Sequence, residues 1–152
     1  MAQASDAKVG QSPFDALPQA EKLACLRELA EGALAYYDVG AASAPVLLNL
    51  SENATYRIDD FSTGRRWALR VHREGYHSKN AIASELAWAT ALRADGVVTT
   101  PVPLPGRDGK LIQEAGHPAM PRPRNVVLLN GRAGLSHRKK TIWSRNSRFW
   151  AR

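Results

Sequence analysis

The sequence predicts an α+β domain: an antiparallel sheet of about five strands with a packed helix, preceded by an N-terminal helix. Two periodicities and one turn carry that prediction. Residues 65–72 alternate, with Trp67, Leu69 and Val71 on one face and Ala68, Arg70 and His72 on the other, which is the period of a strand. Residues 18–37 and 78–92 instead repeat apolar side chains at helical spacing. Asp60, Phe61, Ser62, Thr63 and Gly64 form a turn by composition, short enough that the strands around it pair antiparallel.

The elements follow in order. In the first helix, Leu23, Leu26, Ala30, Ala33, Leu34 and Tyr37 share a face, and Glu21 places a negative charge in the first turn, where the helix dipole favours it. After a loop of small residues and Pro45, residues 46–50 and 55–59 read as strands joined by Ser51, Glu52, Asn53 and Ala54. The alternating strand 65–72 comes next. Ser78 is a good N-cap for the second helix, in which Ile82, Leu86, Ala89 and Leu92 recur at helical spacing up to a stop at Asp95 and Gly96. Two further strands, 97–105 and 110–115, flank the turn Gly106, Arg107, Asp108 and Gly109. Pro101, Pro103 and Pro105 confine the first of them to a sheet edge, because proline cannot donate to a ladder. Residues 125–129 form a last short apolar strand.

Two charges stand out within this pattern. Arg70 ends the run Trp67, Ala68, Leu69, and Glu85 falls between Ile82 and Leu92 on the helical wheel, on the side that faces the core. A charge placed on a buried face costs several kcal/mol unless an opposite charge answers it. A cation on the third strand and an anion on the following helix compensate each other at the edge of a cleft; the other reading has them as two unrelated, solvated residues. Ser51, Glu52, Asn53 and Ala54 lie where a tight turn presents backbone N–H groups to phosphate oxygens, with Ser51 or Asn53 adding a side-chain donor. Without a glycine, they equally suit an ordinary polar hairpin turn. Trp67 and Trp88 both read as packing residues rather than as platforms for a base.

Composition narrows the function classes. At 152 residues and 44% hydrophobic content the chain suits one globular domain. Its start is polar, without the apolar stretch of a signal peptide, and no apolar run reaches the roughly 20 residues of a membrane helix, so a cytoplasmic protein is expected. Cys25 is the lone cysteine, read as a small buried hydrophobe, and the four histidines have no metal-site spacing. The net charge of +7 is unevenly spread: residues 1–129 hold 14 Lys/Arg and 14 Asp/Glu, and residues 130–152 hold seven Lys/Arg and no acid. The expected organisation is a flexible segment 1–16, a domain 17–129 and a basic tail 130–152.

Over residues 17–129 the chain resembles the N-terminal lobe of the aminoglycoside phosphotransferase and choline kinase family, whose fold is like that of protein kinases. "NLSENATYRI" is similar to the family's first hairpin with its nucleotide loop, "WALRVHR" to its third strand, and "IASELAWATAL" to the helix that carries a functional glutamate; the motif residues coincide best in "SENATY" and "LRVHREGYHS". The resemblance implies a kinase-like N-lobe that binds ATP with magnesium. Arg70 takes the place of the lysine that contacts the phosphates and Glu85 that of its ion-pair partner, while Ser51, Glu52, Asn53 and Ala54 form the nucleotide loop. It also implies a small-molecule hydroxyl acceptor.

In that family the catalytic aspartate and the metal-binding carboxylates belong to a second, larger lobe. Here the last aspartate is Asp108 and the last glutamate Glu114, so no catalytic residue and no metal ligand is assigned, and the chain is expected not to transfer phosphate by itself. A separate chain supplying the missing lobe is one way to complete it. For the tail, in which Trp143, Phe149 and Trp150 interleave with the basic residues, the expectation is disorder or a frameshifted end. The alternative is a non-enzymatic binding protein that uses the tail on nucleic acid or an anionic surface.

Overall fold

The computed structural model describes residues 12–131; the flexible start and the basic tail expected from the sequence lie, except for residues 12–16, 130 and 131, outside the described residues. Helix α1 spans Gln19–Ala33 and tightens into a 3-10 turn, Leu34–Tyr36. Strands β1 (Val46–Leu50), β2 (Asn53–Asp60) and β3 (Arg65–His72) follow, then helix α2 (Lys79–Ala94), and finally β4 (Val102–Leu104), β5 (Gln113–Ala115) and β6 (Arg124–Gly131).

All pairings are antiparallel, and the order across the sheet is β1-β2-β3-β6-β4. β5 pairs with β6 on the same side as β4: β4 lies opposite Leu128, Leu129 and Asn130, and β5 opposite Arg124, Asn125 and Val126. Six strands therefore build a sheet five positions wide. The expected strands 97–105 and 110–115 shrink to three residues each, because the prolines cannot sustain a ladder and the intervening turn, closed by the Gly106 N–H donating to the Lys110 carbonyl at 2.8 Å, leaves the sheet.

The middle of the sheet, β3 and β6, is covered on both faces while β1 is exposed, and the alternation of β3 decides which residue goes where. Trp67, Leu69 and Val71 join Tyr56, Ile58, Val126 and Leu128 in a core closed by Leu26, Leu29, Ala30 and Ala33 of α1 and by Tyr37. Ala68 packs on the opposite face, where Val127 and Leu129 meet Ile82 and Leu86 of α2 and Ile112. The turn between β2 and β3 is held by Asp60, whose carboxylate accepts from the Ser62 amide at 2.9 Å and hydroxyl at 2.6 Å and from the Thr63 hydroxyl at 2.8 Å. Those bonds hold its acidity at about 2, below the usual carboxylate range. Gly64 closes the turn at φ +68, a left-handed conformation that glycine adopts without strain. Among the described residues no helix is long and apolar enough to cross a membrane.

Candidate functional site

β3 is interior, and the ladders on its two sides put Thr55 of β2 and Val127 of β6 directly opposite Arg70. The Arg70 side chain points to the α2 face and is only 7% exposed. α2 begins where the Ser78 hydroxyl accepts from the Ala81 N–H at 3.1 Å, which sets the helix phase and brings Glu85 over the sheet. Arg70 Nη1 donates to Glu85 Oε1 at 2.9 Å. The pair read from the sequence is therefore formed.

Its two halves differ in environment. Glu85 is 49% exposed, so it sits at the rim of the α2 face and not within the core as its position on the wheel suggested; only Ile82 and Leu86 of α2 are buried. Burial depresses the pKa of the Arg70 guanidinium, and the nearby Glu85 carboxylate opposes that shift. Arginine stays charged regardless, so the arrangement is a fixed, largely desolvated cation with one anion at the water's edge. Chemically it is a guanidinium fork that can share itself between a carboxylate and an incoming oxyanion.

Ser51 and Glu52 form the tip of the β1–β2 hairpin, and Asn53 and Ala54 already belong to β2. The Ser51 N–H donates to the Asn53 carbonyl at 3.1 Å, and the Glu52 carbonyl accepts from the Arg73 N–H at 3.2 Å. No described non-glycine residue has positive φ, so these four do not form a nest of alternating handedness. Asn53 lies opposite His72 and shares its face with Arg70, whereas Ala54 is buried in the α1-side core. Donors from this hairpin toward an anion on the α2 face are thus side-chain groups, above all Asn53.

His72 is a feature that the sequence reading did not assign a role. It is 2% exposed, and neither ring nitrogen nor the nearby Asn53 Oδ1 has a hydrogen-bond partner. Burial, reinforced by Arg70 and His77, lowers its pKa from 6.5 to about 3, so the ring is neutral in the folded protein. Because the unfolded chain takes up this proton near pH 6.5 and the folded one does not, stability is full above pH 6.5 and falls as pH drops toward 3. The expected slope is about 1.4 kcal/mol per pH unit, or about 2 kcal/mol between pH 7 and 5. The carboxylates of lowered pKa, Asp59, Asp60, Asp108 and Glu114, add to acid sensitivity only from the ordinary carboxylate range downward. Urea unfolding of the protein and of His72→Phe at the two pH values checks this; an equal slope in both contradicts a buried neutral ring.

Of Trp67 and Trp88, the first is buried as expected, but Trp88 is 65% exposed. At about 100° per residue Trp88 sits well away from Ile82 and Leu86, so α2 turns it to solvent. Cys25 is half-buried against the α1-side core. Among the described residues no three His, Cys, Asp or Glu side chains converge as a metal site. The proposed binding role of the tail falls outside the described residues.

Residues 45–137 match the model of the phosphotransferase enzyme family. Two solved structures are similar. One is the microcompartment-associated aminopropanol kinase, at 44% identity over 68% of this chain and 31% of that one, with a TM-score of 0.60. The other is the amicoumacin kinase hAmiN in complex with AMP-PNP, Ca2+ and Ami, at 19% identity over 84% of this chain and 36% of that one, with a TM-score of 0.61. The chain spans about a third of the length of these two structures. No curated protein matches it.

Proposed function

Since the chain belongs to the phosphotransferase enzyme family, with a kinase-like fold, we propose that residues 45–131 form the nucleotide-positioning lobe of an ATP-dependent kinase for a small hydroxyl-bearing molecule. The observation that carries this reading is the 2.9 Å bond between the buried Arg70 and the half-exposed Glu85. A cation held in a desolvated place, with its rotamer fixed by an anion on the adjacent helix, costs little reorganisation when a triphosphate arrives and binds it more strongly than a solvated lysine would. In this reading Glu85 orients Arg70, Arg70 contacts phosphate oxygens, and Ser51 and Glu52 at the hairpin tip with Asn53 at the start of β2 cover them, Asn53 and Ser51 being the side-chain donors, while Ala54 is turned into the α1-side core. The unpartnered Asn53 Oδ1 and His72 nitrogens beside Arg70 fit a polar ligand on that face.

Magnesium, when bound, supplies charge neutralisation between the phosphates. The described residues offer no cluster to hold it, and none is assigned to it. The acceptor's proton and the metal require carboxylates, and the 152 residues contain none after Glu114. In this reading the lobe works with a second lobe, such as a separate chain would supply, and residues 1–152 alone do not transfer phosphate. The 44% identity to an aminopropanol kinase makes a small amino alcohol the acceptor class to test first.

Titration of the protein with AMP-PNP and magnesium, followed by calorimetry, tests the reading. Saturable binding that Arg70→Met weakens by about tenfold or more is expected, the loss of one charge-assisted contact. Equal affinity of the variant would refute the role of Arg70.

A further inference from the structure

A cleft of about 250 Å³ opens between the start of α1, the tip of the β1–β2 hairpin, the end of β3 and the start of β6. Its lining includes three cations, Lys22, Arg73 and Arg124, and two anions, Asp15 and Glu52. Arg124 is the unusual member. It is 6% exposed, its guanidinium carbon lies 5.2 Å from the centre of the Phe14 ring, another wall of the cleft, and its Nε has no hydrogen-bond partner. No carboxylate forms an ion pair with it among the described residues. Glu74 is bridged instead to Arg122 at 3.7 Å, and the Asp15 carboxylate accepts from the Ser12 hydroxyl at 2.8 Å.

A buried guanidinium Nε with no acceptor is costly, and such groups usually have a partner; Glu74 and Asp15 lie near enough to favour the charge but do not bond it. Two neighbours indicate what kind. Gln19 at the first position of α1 lines the same cleft, and that helix starts at Pro18 with no side-chain cap, so its first amides have no side-chain acceptor, although Glu21 in the first turn offsets part of the helix dipole. His72, neutral and with neither nitrogen bonded, also lines it. Three cations against two anions leave one net positive charge, to which the helix terminus adds.

We propose that this cleft is a binding site for a small oxyanion, a carboxylate or a phosphate group, held by Arg124 with Lys22 and Arg73. Neither Arg70 nor Glu85 lines it, but it shares Ser51, Glu52, Asn53 and Ala54 with the hairpin of the nucleotide reading, so the Arg70→Met arm of the test is what tells the two sites apart.

The test is an NMR titration of the protein with sodium acetate and, separately, inorganic phosphate, at constant ionic strength. Saturable shifts of the Lys22, Glu52, Arg73 and Arg124 amides are expected with at least one anion, and the stronger binder identifies the class. Arg124→Met, which keeps the packing on Phe14, weakens that binding by about tenfold or more, whereas Arg70→Met leaves these shifts within about twofold. Should Arg124→Met fail to fold, Lys22→Gln and Arg73→Gln carry the test, each expected to weaken binding by about threefold, the loss of a more exposed charge. The proposal is overturned if neither anion gives saturable shifts at these residues. It is equally overturned if the folded charge-removing variants bind as tightly as the parent, or if Arg70→Met abolishes the shifts.

Discussion

Leu69→Ala is expected to lower the unfolding free energy by about 3 to 5 kcal/mol, the upper range for a buried leucine. Leu69 is 0% exposed at the middle of β3, with Tyr56 and Leu128 directly opposite on its two neighbours. Both ladders fix the backbone around it, and the α1-side core packs above it, so the vacated volume cannot collapse and the cavity persists. For a domain whose whole stability is of order 5 to 15 kcal/mol, this one change removes a large share. Urea unfolding reads it directly: the midpoint falls while the slope stays constant. A loss below about 1 kcal/mol would mean that the core is looser than described.

The second large effect concerns the ion pair. Removing one partner of a buried pair typically costs about 3 to 5 kcal/mol, because the remaining charge stays desolvated. Glu85 is half in water and Arg70 makes a further interaction besides this one, so Glu85→Ala is expected to cost less, about 1 to 3 kcal/mol. Arg70→Met removes the buried charge itself and replaces it with an apolar side chain of similar length, so it should cost less than Glu85→Ala or stabilise. In the double variant the Glu85 change should then be nearly neutral. A double-mutant cycle on unfolding free energy checks this. Additive single effects would mean that the two charges do not sense each other, and the desolvated-cation account of the site would fail with them.

The parts legible in the sequence are those with a strong period. The alternation of 65–72 assigned every β3 side chain to its face, and with helical spacing in α2 it was enough to foresee the contact between Arg70 and Glu85. The depth of each charge was not legible, because a helical wheel gives direction but not how far the covering layer extends; Glu85 and Trp88 both lie beyond its rim. The fate of 97–105 and 110–115 depended on pairing with β6, a non-local partner that local composition does not name. His72 was placed on the right face but its burial came from tertiary packing. Arg124, just outside the expected strand 125–129, gave no signal of its own, since an arginine at a strand end is ordinarily solvated.

In the proposed function, nucleotide phosphates sit on the α2 face of the sheet, at Arg70. Paramagnetic broadening of amide signals by manganese-loaded AMP-PNP locates them: strongest broadening is expected at Asn53, Thr55, Arg70 and Glu85, with Leu29 and Ala30 on the α1 side spared. Broadening centred on α1, or none at a concentration that saturates binding, would contradict it.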